Sequence, residues 1–359
     1  MLVTIHKVAT ALLFAWAASA APTGGSCPAT RPRPAACAAQ LDANENVNCI
    51  AKVNGNELEV KVVGPENGPA IVVMPSTFGH GYWYMFKALE SLFAQYRFIF
   101  YDARGSGPFS SKPENPIETM ATAAMAEDVE GIRTLFGLDR VNIFSHCQGA
   151  TSALIYAEKY ADKVANLYLA ETILPDGVSP EDITAYQGKV VGDLSEHNPT
   201  VNYTDSLALL PVIVNPDDPG FPKDNAMAWA AIKTTSKLYF WNAERHQLFV
   251  DQMEDPNAPP FSQFAMEWNT RADIAEPPQV APLLAQIKAQ VFLLHGDEDG
   301  ASPKPYFDLL VDTLNLTEAS AVLAHQAGHI IWDDANDVFT KTVTGWFDKL
   351  YAENGENDE

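Results

Sequence analysis

Positive charge is scarce in this chain of 359 residues, which carries 23 Lys and Arg against 46 Asp and Glu. The formal net charge is therefore -23 at pH 7. A surface of this sign repels the phosphate backbone of nucleic acids and the headgroups of anionic membranes, so neither is an expected partner. We interpret the acidic excess as a source of solubility.

Long apolar runs are also lacking, because Val8–Ala18 is too short to span a bilayer and no later segment is longer. The run ends at the small-residue sequence Ala-Ser-Ala at 18–20, which is typical of a cleavage site. We therefore predict a signal peptide over residues 1–20 and a secreted mature protein, with a buried N-terminal helix as the alternative. Glycosylation sequons at Asn202 and Asn315 agree with export and predict a glycoprotein.

Cysteine is rare, with four residues in the whole chain. Cys27, Cys37 and Cys49 lie near the N terminus, and two of them can pair in an oxidising compartment, although the sequence does not select which two. Cys147 lies far from the others and requires a separate explanation.

Apolar strand-like stretches and amphipathic stretches alternate from about residue 55 onward. This alternation predicts an α/β fold with a mostly parallel central sheet flanked by helices. The alternation stops near Leu174 and resumes at Val291, and the Pro-rich breaks between them indicate an inserted helical cap. The expected order is a signal peptide (1–20), an N-terminal arm (21–54), a first core segment (55–175), the cap (176–285), a second core segment (286–351) and an acidic tail (352–359).

Individual elements follow from the period of the apolar residues. The predicted strands are Glu57–Val63, Ala70–Met74, Tyr96–Tyr101, Val141–Phe144, Val164–Leu169, Val291–Leu294 and Ser320–Leu323. The predicted helices are Ile117–Phe136, Gly149–Tyr160, Ala226–His246, Pro305–Leu314 and Asp333–Tyr351.

A tight turn between a strand and a helix is predicted at Ser145-His146-Cys147-Gln148-Gly149. The pattern small-x-Cys-x-small is what a nucleophile elbow needs, because residues two positions either side of the nucleophile must be small. The start of the following helix and a nearby histidine both favour a thiolate. The alternative is that Cys147 is a small buried hydrophobic residue at a strand end.

Candidate acid and base residues follow later strands. Asp297 and Asp299 come after Val291–Leu294, and His325 and His329 come before the last helix. Residues that act with an elbow nucleophile follow it in the chain in the order acid, then histidine, and each lies in a loop after a strand. We therefore expect these loops to meet at the carboxyl edge of the sheet.

The chain resembles α/β-hydrolases of the proline iminopeptidase and related esterase group over Gly55–Leu174 and Ala289–Trp346. The resemblance includes the loop Tyr101–Gly107, which is similar to the D-x-R-G-x-G loop of that group. By position it implies that Asp299 is the acid and His329 the base, with Asp297 as the alternative acid. Structural roles are implied for His325 and Arg104, and the cysteine nucleophile resembles that of dienelactone hydrolases.

The same resemblance implies an oxyanion hole formed by the backbone N–H groups of Gln148 and Thr77. The family usually shows His-Gly-Gly-Pro-Gly in the loop that supplies the second donor, whereas residues 75–81 of this chain read Pro-Ser-Thr-Phe-Gly-His-Gly. Tyr82, Trp83 and Tyr84 follow this loop and are candidate residues of an acyl pocket, with core packing as the alternative. Phe78 is a further candidate for substrate binding. Glu244 is a candidate for binding a free substrate amine, with a solvated surface position as the alternative.

A thiolate nucleophile favours activated acyl groups. We therefore predict a hydrolase that cleaves a small-molecule ester, lactone or small amide through an acyl-thioester. An acyltransferase or cyclase on the same triad and a ligand-binding protein without catalysis are the alternatives. No cofactor is predicted, because no metal-ligand spacing and no phosphate-binding glycine loop occur in the sequence. The sequence carries no indication of an oligomeric state.

Overall fold

A computed structural model describes residues 33–37, 47–65 and 70–355 of the chain. The predicted signal peptide, Cys27, most of the predicted arm and residues 356–359 of the acidic tail lie outside these described residues. No helix of the described residues is both long and apolar enough to cross a membrane.

The described residues form an eight-stranded sheet in the order β1-β2-β4-β3-β5-β6-β7-β8. The first three strands in that order pair antiparallel, and all other neighbours pair parallel. The predicted fold class, a mostly parallel sheet flanked by helices, is confirmed. The strands are β1 (Val47–Val53), β2 (Asn56–Val63), β3 (Ala70–Met74), β4 (Arg97–Tyr101), β5 (Val141–His146), β6 (Val164–Ala170), β7 (Gln290–Gly296) and β8 (Ala321–Ala324).

Helices connect and cover these strands. They are α1 (Trp83–Leu89), α2 (Pro116–Thr119), α3 (Thr122–Leu135), α4 (Gln148–Lys159), α5 (Pro180–His197), α6 (Thr204–Ile213), α7 (Asn225–Thr235), α8 (Ala243–Met253), α9 (Gln263–Ala275), α10 (Pro305–Leu314), α11 (Ile331–Asp334) and α12 (Asn336–Gly355). Short 3₁₀ turns lie at Glu90–Leu92, Ser236–Tyr239 and Ala281–Gln286.

Burial on both faces explains why the central strands are continuous apolar runs. Every residue of β3 is buried, and so is every residue of β5. Alternate side chains join different cores: Phe144 packs in the cluster that includes Phe347 of α12, whereas Ile143 packs in the cluster that includes Leu154 of α4. Because successive side chains of a strand point to opposite faces of the sheet, β5 packs against helices on both faces.

The segment between β6 and β7 contains α5–α9, and side chains determine where most of these helices begin. Ser179, Asp224, Asn242 and Ser262 each accept a hydrogen bond from a backbone N–H of the first turn, which stabilises the starts of α5, α7, α8 and α9. The segment also has an apolar cluster of its own, which includes Phe221, Ile232, Phe261 and Met266.

Three elements differ from the sequence predictions. The predicted helix Ala226–His246 is wrong as one unit, because the chain leaves α7 for a 3₁₀ turn and an extended Phe240 before α8 begins. Asn242 caps α8, and the carboxylate of Asp334 accepts the N–H groups of Trp241 and Asn242. These long-range contacts outweigh helix propensity at the break.

The other two differences are interruptions of predicted helices. The predicted helix Ile117–Phe136 is interrupted at Met120 and Ala121 between α2 and α3, and the predicted last helix is interrupted at Ala335 between α11 and α12. Strand β1 falls within the range assigned to the N-terminal arm and pairs along its whole length with β2.

A disulfide joins Cys37 to Cys49, with a sequence separation of 12. Both sulfur-bearing residues are buried, and Ala36 forms a bridge with Ile50 beside them. The structure therefore selects one of the pairings that the sequence left open and ties the segment before β1 to the sheet.

We predict that Cys37→Ala/Cys49→Ala lowers the free energy of unfolding by about 3 kcal/mol, because the bond restricts a short loop in the unfolded chain. Thermal unfolding with and without a reductant measures the effect. The wild-type protein should fall to the level of the variant when reduced, and the variant should not respond. A wild-type melting temperature that is insensitive to reduction would contradict this role.

Candidate functional site

Cys147 lies in a strained turn between β5 and α4. Its φ is 58° and its ψ is -132°, a backbone conformation that costs energy in any residue with a side chain. The Cys147 N–H donates to the Ala170 carbonyl at 3.1 Å, which ties the turn to the end of β6. A Cβ at Gly149 would lie 2.6 Å from the Pro75 carbonyl oxygen, so this position requires glycine.

The loops after β7 and β8 bring Asp299 and His329 to this turn. His329 Nδ1 donates to Asp299 Oδ2 at 2.7 Å, and both side chains are buried. Because Nδ1 is used by Asp299, Nε2 is the nitrogen that can face Cys147. The Cys147 sulfur lies within 4.8 Å of a His329 ring nitrogen. The structure thus brings together the three residues that the sequence assigned to catalysis.

Asp299 has further hydrogen bonds that stabilise its charge. Its Oδ1 accepts the N–H groups of Ala301 at 2.7 Å and Ser302 at 2.8 Å. Burial alone raises the pKa of Asp299, but the charge of His329 and these hydrogen bonds outweigh burial and hold the pKa below its usual value. Asp299 is therefore an ionised carboxylate at neutral pH.

His329 responds to this carboxylate. Burial lowers the pKa of His329, whereas the negative charges of Asp299 and of a Cys147 thiolate, with hydrogen bonds to both, raise the pKa to about 10. At neutral pH the ring is thus an imidazolium held between an anionic carboxylate and the thiol. This charge state places a proton donor beside the sulfur of Cys147.

His146 and Tyr84 contact each other behind His329, a pairing that the sequence did not predict, since it indicated Tyr84 only as a candidate acyl-pocket residue. His146 Nε2 donates to the His329 carbonyl at 2.9 Å, so His146 Nδ1 accepts from the Tyr84 hydroxyl at 3.2 Å. The Tyr84 hydroxyl in turn accepts the Ser76 N–H at 3.3 Å. Burial holds the pKa of His146 well below its usual value, so its ring is neutral and orients the His329 backbone.

Glu171 is the other residue that the sequence did not indicate. It follows β6, is fully buried and offers a carboxylate oxygen within 4.8 Å of the facing atoms of Asp299 and His329. The only signal in the sequence was its position directly after a parallel strand, at the edge of the sheet where the candidate site lies.

The candidate oxyanion residues lie beside the thiol. Gln148 is the first residue of α4, where backbone N–H groups have no acceptor one turn earlier, and it lines the cavity above Cys147. Thr77 is buried, and its hydroxyl lies 3.0 Å from Asn269 Oδ1. The Thr77 side chain is thus anchored to α9, while the neighbouring Phe78 lines the cavity.

Several candidates lie elsewhere. Trp83 packs against Phe86 and donates to the Gln252 carbonyl, so it does not line the cavity. Glu244 is exposed on the first turn of α8 and also lies outside the cavity lining.

Asp297 pairs with the exposed His325 at 2.7 Å rather than with His329. Buried Arg104 pairs with Asp128, which agrees with a structural role.

A cavity of about 540 Å³ lies above Cys147 and His329. Its far wall comes from α5 and α6, including Leu207, Leu210 and Ile213. Among the described residues, its lining contains three histidines but no aspartate, glutamate, lysine or arginine. The cavity therefore favours an uncharged, apolar ligand.

Two groups in the site have the residue types of metal ligands, His146–Cys147–His329 and Glu171–Asp299–His329. Hydrogen bonds within the site already use both ring nitrogens of His146 and the Asp299–His329 pair. These residues are thus better matched to acid–base chemistry than to ion binding.

The chain has the α/β-hydrolase fold. Residues 69–199 match the family model described as alpha/beta hydrolase fold. Among solved structures, the chain is similar to a proline iminopeptidase-related protein of Thermus thermophilus, with a TM-score of 0.62 and 19% identity over 86% of this chain and 99% of that one. It is also similar to an enol-lactonase of Burkholderia xenovorans, with a TM-score of 0.57 and 20% identity over 83% and 99% of the two chains.

Curated relatives match a shorter stretch of the chain. A proline iminopeptidase of Pestalotiopsis fici is 31% identical over 34% of this chain and 43% of that protein. The 3-oxoadipate enol-lactonase 1 of Acinetobacter baylyi is 33% identical over 33% of this chain and 44% of that protein. The matched region therefore spans less than half the length of these relatives.

We predict that Asp299→Asn moves the alkaline limb of the pH–rate profile to lower pH. The carboxylate raises the pKa of His329, so its loss lets the imidazolium deprotonate earlier, by on the order of two pH units. The profile of kcat/KM for a neutral ester, corrected for background hydrolysis, measures the shift. Asp297→Asn is the matched control and should keep the wild-type limb. A shift in the control but not in Asp299→Asn would contradict the assignment.

Proposed function

We propose that the chain is a hydrolase whose nucleophile is Cys147, acting with His329 and Asp299 on an ester or lactone. The observation that carries this proposal is the strained turn that holds Cys147 beside an imidazolium fixed by Asp299. The similarity to iminopeptidases and enol-lactonases supports acyl-group chemistry at this fold.

The reaction follows from the charges of the site. The Cys147 thiolate attacks the carbonyl carbon, and the carbonyl oxygen becomes an oxyanion that the Gln148 N–H stabilises with a second donor from the Thr77 loop. His329 gives its proton to the departing alcohol oxygen as the C–O bond breaks, which leaves a thioester and a neutral imidazole. The neutral His329 then takes a proton from water, which attacks the thioester and restores the thiolate and the imidazolium.

The cavity supports an ester or lactone more strongly than a peptide with a free amine. An amine at the substrate terminus needs a carboxylate partner once it is desolvated. None lines the described cavity, and Glu244, the candidate for that role, is exposed elsewhere. An uncharged acyl group can instead bury its chain against Leu207, Leu210 and Ile213.

Export of the protein is included in the proposal. The Cys37–Cys49 disulfide supports it, because such bonds persist in oxidising compartments. Together with the predicted signal peptide over residues 1–20, the bond favours a secreted enzyme.

We predict that Cys147→Ala lowers kcat on p-nitrophenyl esters by about 10³-fold or more, because no other group forms the acyl intermediate. Cys147→Ser is the matched variant, and it should also be slow because a hydroxyl is a poor nucleophile unless a free base takes its proton. Steady-state kinetics with an ester, a lactone and a prolyl anilide measure both.

Two results would decide between the proposals. Full activity in Cys147→Ala would contradict a thiol mechanism. Turnover that requires an added alcohol or amine would instead support the acyltransferase alternative, and saturable binding of esters without turnover would support a ligand-binding protein.

We predict that Leu210→Asp lowers kcat/KM for long-chain esters by about tenfold or more, because it places an uncompensated carboxylate in the cavity wall and removes apolar contact. Leu248→Asp is the matched control, since Leu248 is 43% exposed on α8 and lies outside this cavity. Kinetics over a series of acyl chain lengths measure the effect. Equal losses in the two variants would contradict the assignment of the acyl site.

A further inference from the structure

Glu171 occupies a position that is costly for a glutamate. The side chain is 0% exposed, and its backbone has a φ of 47°, in the left-handed region that favours glycine. Its N–H donates to the Leu294 carbonyl at 3.0 Å, so the residue bridges the ends of β6 and β7. A strained residue with a buried ionisable side chain at a reaction site indicates a functional constraint.

The neighbours of the Glu171 carboxyl group indicate its protonation state. Both carboxyl oxygens face the Gly296 N–H, at 2.9 and 3.1 Å, and this donor suits either protonation state. The second neighbour is His295, whose Nδ1 lies 3.3 Å from Glu171 Oε2.

His295 presents an acceptor to Glu171. Its Nε2 lies 2.8 Å from the Ser302 carbonyl, which can only accept, so Nε2 carries a hydrogen. Burial lowers the pKa of His295 to about 4, so the ring is neutral and its Nδ1 has a lone pair. Two lone pairs at 3.3 Å repel each other unless Glu171 supplies a proton.

The third neighbour is Asp299, which is also an acceptor. The carboxyl oxygens that Glu171 and Asp299 offer to each other lie within 4.8 Å. Two buried carboxylates at this separation cannot both be charged. Asp299 has the imidazolium of His329 and two backbone N–H groups, whereas Glu171 has one backbone N–H group, so the charge stays on Asp299.

We propose that Glu171 is a neutral carboxylic acid whose O–H donates into the space between Asp299 and His295, and that it acts as a positioning residue for Asp299. Burial and the charges of Asp299 and Cys147 raise the pKa of Glu171 well above its usual value, in agreement with this state. The ionisable groups that face Glu171 are His295 of β7, Asp299 and His329 of the following loops, and Cys147 of the elbow.

The consequence is a chain of directed hydrogen bonds behind the thiol. In this arrangement Glu171 donates to Asp299, and Asp299 orients the His329 ring that faces Cys147. The catalytic component of this inference rests on the proposed function, whereas the protonation state of Glu171 does not.

Infrared difference spectroscopy between the wild-type protein and Glu171→Gln at pH 7 tests the protonation state without any substrate. We expect the C=O stretch of a protonated carboxylic acid to be lost in the variant. Loss of a carboxylate band instead would overturn the proposal. Glu130→Gln is the matched control, because Glu130 is an ion-paired carboxylate on α3 and should show only a carboxylate loss.

Kinetics test the positioning role. Glu171→Gln keeps a donor toward Asp299 and should retain kcat within about threefold, whereas Glu171→Leu removes the donor and should lower kcat on the order of 10- to 100-fold. KM should change little in either, because Glu171 does not line the cavity. A Gln variant as slow as the Leu variant, or a Leu variant as fast as wild type, would overturn the role.

The infrared and the kinetic experiments separate this inference from the proposed function. Should the Leu variant fail to fold, the Gln variant and the infrared spectrum still decide. Should the wild-type protein show no turnover on any acyl donor, the proposed function fails, while the infrared result still settles the state of Glu171.

Discussion

The hydrogen bond between buried His329 and Asp299 is the interaction on which the proposed chemistry depends. One hydrogen bond of 2.7 Å orients the His329 ring, and the charge of Asp299 raises the pKa of His329. In the proposed mechanism, this pair supplies a general acid beside the Cys147 nucleophile, which suits attack on an activated carbonyl.

The helical segment between β6 and β7 contacts the loops that carry this pair, and it also lines the cavity. The Leu238 carbonyl accepts from Gly300 N–H and the Tyr239 carbonyl from Ile330 N–H, so the break between α7 and α8 contacts both the acid loop and the histidine loop. The Tyr186 hydroxyl of α5 donates to the Asp297 carbonyl at 2.5 Å. A substrate that displaces α5 would therefore change the alignment of the triad, since α5 both lines the cavity and contacts the acid loop.

Much of the fold was predictable because strand and helix periods are local properties. The elbow around Cys147 and the order of Asp299 and His329 were also visible, since each follows a predicted strand. Glu171 was not, because its partner Gly296 lies 125 residues away and no motif marks it. The break at Phe240 and the Cys37–Cys49 pairing depended on similar long-range contacts, as did the exclusion of Trp83 and Glu244 from the cavity. The roles assigned to the triad and the secreted location remain predictions from sequence and geometry.

The central claim is that the acyl group passes through the sulfur of Cys147. Peptide mapping by mass spectrometry after acid quench of a reaction with a slow acyl donor tests it most directly. The account predicts an acyl mass on the peptide that contains Cys147, which forms and decays at the rate of turnover. Turnover without that adduct, or an adduct on another residue that decays at the same rate, would contradict it.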